Sequence, residues 1–445
     1  MWKRVRLANL WSQLSNNYWS VPAGMVTIAI GLSFLFPWID EVSGDSKAVV
    51  PGWIYQGGPE GARALLSTIA GSMMTVAALT FSITIVGLST ASQQFGPRLL
   101  RNFIKDRGYQ VVLGTFLAAF IYCLLVLRTV RSNGSQQFVP YVSLAAGILF
   151  AVAGVGVLVY FIHHAVFSMR AETLVAATGR ELRAAVDRLS PHEVEDDRSP
   201  TRKPPRSLPK GFPSGAREIR AESSGYIQAI DTGRLLKLAH ENGLVLRLEH
   251  RVGHFLTQES GLLDAWPDTT PSEELRADLN DCFVFGTQRS LNQDVESAVD
   301  QLVEIALRAL SPGINDPDTA VACIDQLADA LGRVGERTIP PALLSYEDEV
   351  RLVTYPLTYS RLVDAAFSRI RQYSRGSVPV VLRLLEAIAS LTPRVQHDAH
   401  RSALVHQAQM IWRASQESVP EPDDLRTIEF RFKAVERVLE TTGSS

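Results

Sequence analysis

Thr68, Ser72, Thr75, Ser82, Ser89 and Gln93 are the residues whose types and spacing most directly suggest chemistry. They recur at steps of three, four or seven, so an α-helix places them close to one face. A row of hydroxyl and amide oxygens can replace part of an ion's water shell, which is the chemistry of a lined aqueous pathway. The neighbouring Gly71, Ala77, Ala78, Gly87 and Ala91 fit a second use, because small residues let one helix pack closely on another. Pore lining and helix packing both remain open from the residues alone.

Other polar groups are less specific. Arg308, Asn315 and Asp316 surround a Ser311-Pro312-Gly313 break and would suit an ion or a small anionic ligand. Asp316 before Pro317 also reads as an N-cap followed by the first position of a helix, which accounts for the same residues. His397 and His400 share a helix face beside Asp398 and His406, but the chain supplies no further ligands of the kind a zinc site needs. They read as surface histidines, and no metal or cofactor is implied. His163 and His164 read as interfacial residues, with pH sensing as the alternative.

No dinucleotide-binding glycine pattern, phosphate-binding lysine loop, zinc-protease helix or nucleophile elbow is present, so no enzyme chemistry is assigned. The C-terminal half shows no net basic face in its sequence, and nucleic acid is not an expected partner.

The elements that carry these residues are apolar. Between Arg63 and Arg98 no side chain is ionisable, a stretch of about 34 residues that exceeds the roughly 20 needed to cross a bilayer as a helix. Four spans are predicted, at about 19–39, 64–92, 109–127 and 140–162, all without Asp, Glu, Lys or Arg in their interiors. Tyr18, Trp19, Trp38, Tyr109, Tyr141 and Tyr160 mark their ends, where amphipathic rings favour the headgroup level. The absence of acidic residues at mid-span argues against proton-coupled transport.

Lys3, Arg4 and Arg6 precede the first span, and Arg98, Arg101, Lys105 and Arg107 lie between the second and third. The first connection instead carries Asp40, Glu41 and Asp45 against Lys47 and Arg63. That asymmetry predicts cytoplasmic termini in a bacterial inner membrane. The basic start is not read as a secretory signal, because the apolar run to Trp38 is too long and lacks a small-residue cleavage site. Gly96-Pro97 should end the second helix, with a basic surface helix over 99–107.

Whole-chain averages conceal this division. The 445 residues are 46% hydrophobic and 20% charged with a formal charge of -2, yet charge is dense only after Arg170. The three cysteines have no paired spacing, so a disulfide framework is not expected.

The strings Leu65-Leu66-Ser67-Thr68-Ile69-Ala70-Gly71-Ser72, Phe81-Ser82-Ile83-Thr84, Gln94-Phe95-Gly96-Pro97-Arg98 and Leu310-Ser311-Pro312-Gly313-Ile314-Asn315-Asp316-Pro317 resemble the bacterial predicted membrane protein family known as domain of unknown function 2254. The resemblance implies a multi-span membrane protein with a soluble C-terminal part and transfers no catalytic residues.

The expected fold is an α-helical membrane protein with four transmembrane helices and a cytoplasmic α+β region. Residues 1–170 form the membrane domain, 171–222 a helical extension and a Pro- and charge-rich linker, 223–270 a small β-rich module, and 271–445 a mainly helical domain. The β-rich pattern is similar to barrel-sandwich carrier folds, but lacks the hairpin lysine that carriers modify and reads as structural. Helices are expected at 346–373, with Pro356 breaking or kinking the run, and at 378–390, 394–416 and 425–441. The functional expectation is a homo-oligomeric channel or pore-like protein, with a non-conducting scaffold or sensor as the alternative.

Overall fold

The computed structural model describes residues 19–42, 57–95, 106–131, 138–168, 170–188, 208, 212, 215–268, 271–289, 294–337, 342–347, 349–355, 357–395 and 397–442. Residues 99–105 of the expected surface helix and most of the expected linker lie outside the described residues. The chain divides into two compact units, Met1–Thr173 and Leu174–Ser445.

The first unit contains α1 (Ser20–Val42), α2 (Pro59–Phe95), α3 (Arg107–Leu127) and α4 (Tyr141–Ser168). All four are long and apolar enough to cross a membrane. In lipid, burying an apolar side chain against another helix gains little from the hydrophobic effect, so close packing and hydrogen bonds must hold the helices together. Helix α3 occupies the centre: Tyr109, Val112, Phe116, Ala119, Tyr122, Cys123 and Val126 are all buried. Gly114 shows why this helix accepts neighbours so closely, since a Cβ there would lie 2.6 Å from the Met25 sulfur and 3.1 Å from the Pro22 backbone of α1.

The second unit begins within α5 (Ala171–Asp187), which packs against α9 (Pro317–Gly335) through Arg183, whose Nη1 donates to Gln326 at 2.8 Å. Its strands are β1 (Arg217–Arg220), β2 (Gly225–Ile230), β3 (Val245–Leu248), β4 (Phe255–Leu256), β5 (Gly261–Trp266), β6 (Phe283–Gly286), β7 (Leu343–Tyr346) and β8 (Glu349–Val353). They form a five-stranded sheet, β1-β5-β3-β8-β7, and a three-stranded sheet, β4-β2-β6. Helices α6 (Thr232–Glu241) and α7 (Glu273–Asn280) interleave with them, and Leu235, Leu246, Leu263, Leu279 and Leu352 share one core.

This arrangement departs from a barrel-sandwich of hairpins, because β3 pairs in parallel with β8, Leu246 opposite Leu352. Strands also lie outside 223–270, and the β7–β8 hairpin comes from within the largely helical stretch. The helix expected from Tyr346 is corrected accordingly: Glu349–Val353 alternates in burial, as a half-covered strand must, and Glu347 turns the hairpin with φ 49°. The helix proper is α10 (Tyr359–Tyr373). It is preceded by α8 (Val295–Ala309) and α9, and followed by α11 (Val378–Leu391), α12 (Asp398–Ser418) and α13 (Pro422–Thr442).

Candidate functional site

Helix α2 has two unlike faces. Ala62, Leu66, Ala70, Met73, Ala77 and Thr80 are buried, and this line packs against α3 and α4: Leu66 Cδ2 lies 3.3 Å and Cys123 Sγ 3.6 Å from a Cβ built on Gly147. Thr68, Ser72, Thr75, Ser82, Ser89 and Gln93 are all exposed. At 3.6 residues per turn these six fall within an arc of roughly 100°, centred roughly 160° from the buried line. The structure therefore gathers the stripe on one face and leaves it uncovered by the other three helices.

The hydroxyls do not all have the same freedom. Thr68 Oγ1 donates to the Ala64 carbonyl at 2.8 Å, and Thr75 Oγ1 to that of Gly71 at 2.9 Å. Such bonds satisfy a hydroxyl within its own helix and let it face lipid or another helix at little cost.

Height also matters. Helix α2 runs antiparallel to α3, with Leu66 near Cys123 and Met73 near Phe116. Extending this pairing brings Ser82 level with the start of α3 at Arg107, so the remaining 13 or so residues continue about 20 Å beyond it. Ser89 and Gln93 lie on this extension, whereas Thr68 to Ser82 lie alongside α3. The 37 residues of α2 measure about 55 Å as a helix against a hydrocarbon thickness of about 30 Å.

Two aspartates, neither part of a recognisable sequence motif, tie the ends of the bundle. Asp40, 2% exposed at the end of α1, accepts hydrogen bonds from the Val142 amide (2.9 Å), the Ser143 amide (3.0 Å) and the Ser143 hydroxyl (2.8 Å). The Leu144 amide donates to the Pro140 carbonyl, which makes Pro140 the N-cap of α4, a residue with no side-chain oxygen. Asp40 supplies the missing cap from a different helix. Tyr122 of α3 donates to the Ser143 carbonyl at 2.9 Å and completes the junction.

At the opposite end Asp106 caps α3 by accepting from the Gly108 amide at 2.7 Å, and its second oxygen lies 2.8 Å from His164 Nε2. His164 stacks on Tyr160 at 5.4 Å. Gly108 makes room for that imidazole, since a Cβ there would lie 2.6 Å from Nε2. An Asp before Arg-Gly at a helix start was the available sequence signal for the cap; the histidine partner had none.

In the second unit Arg308, Asn315 and Asp316 lie around the turn between α8 (Val295–Ala309) and α9. Asp316 accepts from the Thr319 amide (3.1 Å) and hydroxyl (2.6 Å) as the N-cap of α9. Asn315 has φ 52°, and the Arg308 guanidinium lies 3.5 Å from Glu304. A different polar group is assembled by Glu296, which is 8% exposed and binds both Arg251 and Arg361, the latter at 2.5 Å. Burial alone would raise the Glu296 pKa, but hydrogen bonds and charge from Arg251, then from Arg361, outweigh it and hold the carboxyl below its ordinary value. His254, 3.2 Å from Arg251 Nε, is pushed below its ordinary value by burial and then by Arg251, His250 and Arg361.

The three cysteines are buried and free. His397 and His400 meet edge to face at 5.1 Å, and among the described residues no group of three metal-ligating side chains comes together.

The comparison with known proteins agrees with the four apolar helices. The family model described as predicted membrane protein (DUF2254) matches residues 15–390. The chain belongs to that family. An uncharacterized protein of Mycobacterium tuberculosis strain H37Rv is 28% identical over 448 residues, covering 97% of this chain and 82% of the relative. An uncharacterized protein of Mycobacterium bovis matches to the same extent. No solved structure matches. This DUF2254 member is thus a membrane protein whose family likeness spans both the helical bundle and most of the following unit.

Proposed function

We propose that this protein is a homo-oligomeric, non-enzymatic channel or pore-like protein of the bacterial inner membrane, with both termini in the cytoplasm. Copies of α2 would surround a shared pathway, and the C-terminal unit would assemble or gate it. The observation that carries this reading is the outward position of Thr68, Ser72, Thr75, Ser82, Ser89 and Gln93, opposite the face that packs on α3. A polar stripe left open by its own bundle gains most by facing water or the matching stripe of another copy.

A non-conducting scaffold or sensor is the second reading. It is favoured by Thr68 and Thr75, whose hydroxyls already bond to their own backbone and need no water. Single-channel recording in planar bilayers tests the two, with Ser82→Leu/Ser89→Leu as the paired variant. Discrete currents altered by the double replacement support the pathway. Silence across a wide range of voltage and tension, from folded protein, refutes conduction and leaves the scaffold reading.

A further inference from the structure

Helices α10 and α12 lie side by side and run in the same direction. Their register is set at two levels: the Tyr359 ring stacks on His400 at 4.4 Å, and Gln407 Nε2 donates to Asp364 (2.6 Å) and Ser368 (2.9 Å). Continuing that register by about one turn brings Arg371, in the last turn of α10, level with Arg413 of α12. The chain then turns through Gly376, φ 79°, where a Cβ would lie 3.5 Å from the Ser418 carbonyl oxygen at the end of α12. This turn holds Arg375 at the same corner. Helix α11 starts there as well, and its N-cap Ser377 makes no side-chain cap bond.

The corner carries three arginines, and although Glu417 lies one helical turn beyond Arg413 on α12, no carboxylate among the described residues pairs with any of them. Arg371 Nε is buried and has no hydrogen-bond partner. Among the described residues, Arg371, Arg375 and Arg413 form no ion pair, whereas most other arginines of this unit do. Burial, then Arg375, then Arg413 all act to lower the Arg371 pKa, with no carboxylate opposing them. The carbonyls ending α10 offer only about half an elementary negative charge, against three whole positive charges. Guanidinium groups gathered at one corner match the oxygens of a phosphoryl group.

We propose that Arg371, Arg375 and Arg413 form a binding site for a phosphate-type anion at the corner between α10, α11 and α12. The phosphoryl group belongs either to a soluble ligand or to an anionic lipid headgroup, and the chemistry of recognition is the same.

The test uses the full-length protein purified in a neutral detergent. Pyrophosphate, dioctanoyl phosphatidylglycerol and, as the zwitterionic control, dioctanoyl phosphatidylcholine are each titrated by calorimetry. Binding of pyrophosphate identifies a soluble phosphorylated ligand, binding of phosphatidylglycerol identifies a headgroup, and either should weaken with added salt. Arg375→Gln/Arg413→Gln should weaken that binding by at least about tenfold, the loss expected for charge-assisted hydrogen bonds. Both residues are exposed, so the ligand-free variant should melt at the same or a higher temperature once the like charges are removed. Failure of both anions to bind, binding unchanged in the variant, or a lower melting temperature of the ligand-free variant overturns the site.

Discussion

Replacing Asp40 by Ala should destabilise the membrane unit far more than a charge at the end of a span would suggest. Its two oxygens serve three donors, and Asp40 and Ser143 are 2% and 0% exposed, so water cannot simply take the place of the carboxylate. A lost helix N-cap costs about 1 kcal/mol, and a buried donor left unpaired about 1–3 kcal/mol. Partial relaxation of the α4 terminus brings the sum to about 3 kcal/mol rather than the full total for three donors. Asp40→Asn keeps one acceptor oxygen and should lose about half as much. Ser143→Ala removes only the hydroxyl bond and should cost about 1 kcal/mol, and the double replacement should be non-additive by a similar amount. Reversible unfolding of the full chain in mixed detergent, followed by far-ultraviolet circular dichroism, measures these differences. Glu41→Ala is the control, since Glu41 is exposed and adjacent. A loss for Asp40→Ala within about 0.5 kcal/mol of that control would refute the cap supplied between helices.

The second unit should show two acid-dependent losses of stability. Both His254 and Glu296 have folded pKa values below their ordinary ones, so each contribution is complete above the ordinary value and is lost as the pH falls through the folded value. The loss due to His254 should therefore begin below its ordinary value of 6.5, and that due to Glu296 below 4.5. Melting temperatures across this range, with His254→Gln removing the first loss, check the assignment. Glu296→Gln should cost about 2–4 kcal/mol near neutral pH, because it leaves Arg251 with a buried guanidinium and no charge partner; denaturant titration reads the difference. Asp316→Ala should cost about 1 kcal/mol through its cap on α9 while leaving conduction, if present, unaltered, which recordings and unfolding of the same variant measure together.

The sequence by itself determined the features that depend on local pattern. An uncharged run from Ala64 to Pro97 can be stable in few environments other than a bilayer, and its periodic hydroxyls must share a helix face. Asp316 and Pro317 similarly specify a helix start through the needs of the first-turn amides, and α9 begins there. What the tertiary structure decided depends on partners far apart in the chain. Only packing against α3 shows that the hydroxyl stripe of α2 is the uncovered face, since small residues occur on both sides of that helix. Asp40 looked like a loop charge because the Pro140 cap it replaces lies about a hundred residues away. Glu349–Val353 is too short for its period to distinguish strand from helix, and the parallel partner that makes it a strand is β3. Arg371, Arg375 and Arg413 likewise gave no motif; parallel pairing of α10 with α12 and the turn at Gly376 bring them together. Local sequence fixes backbone periodicity and end chemistry, whereas the environment of a buried charge is set by whichever distant segment closes over it.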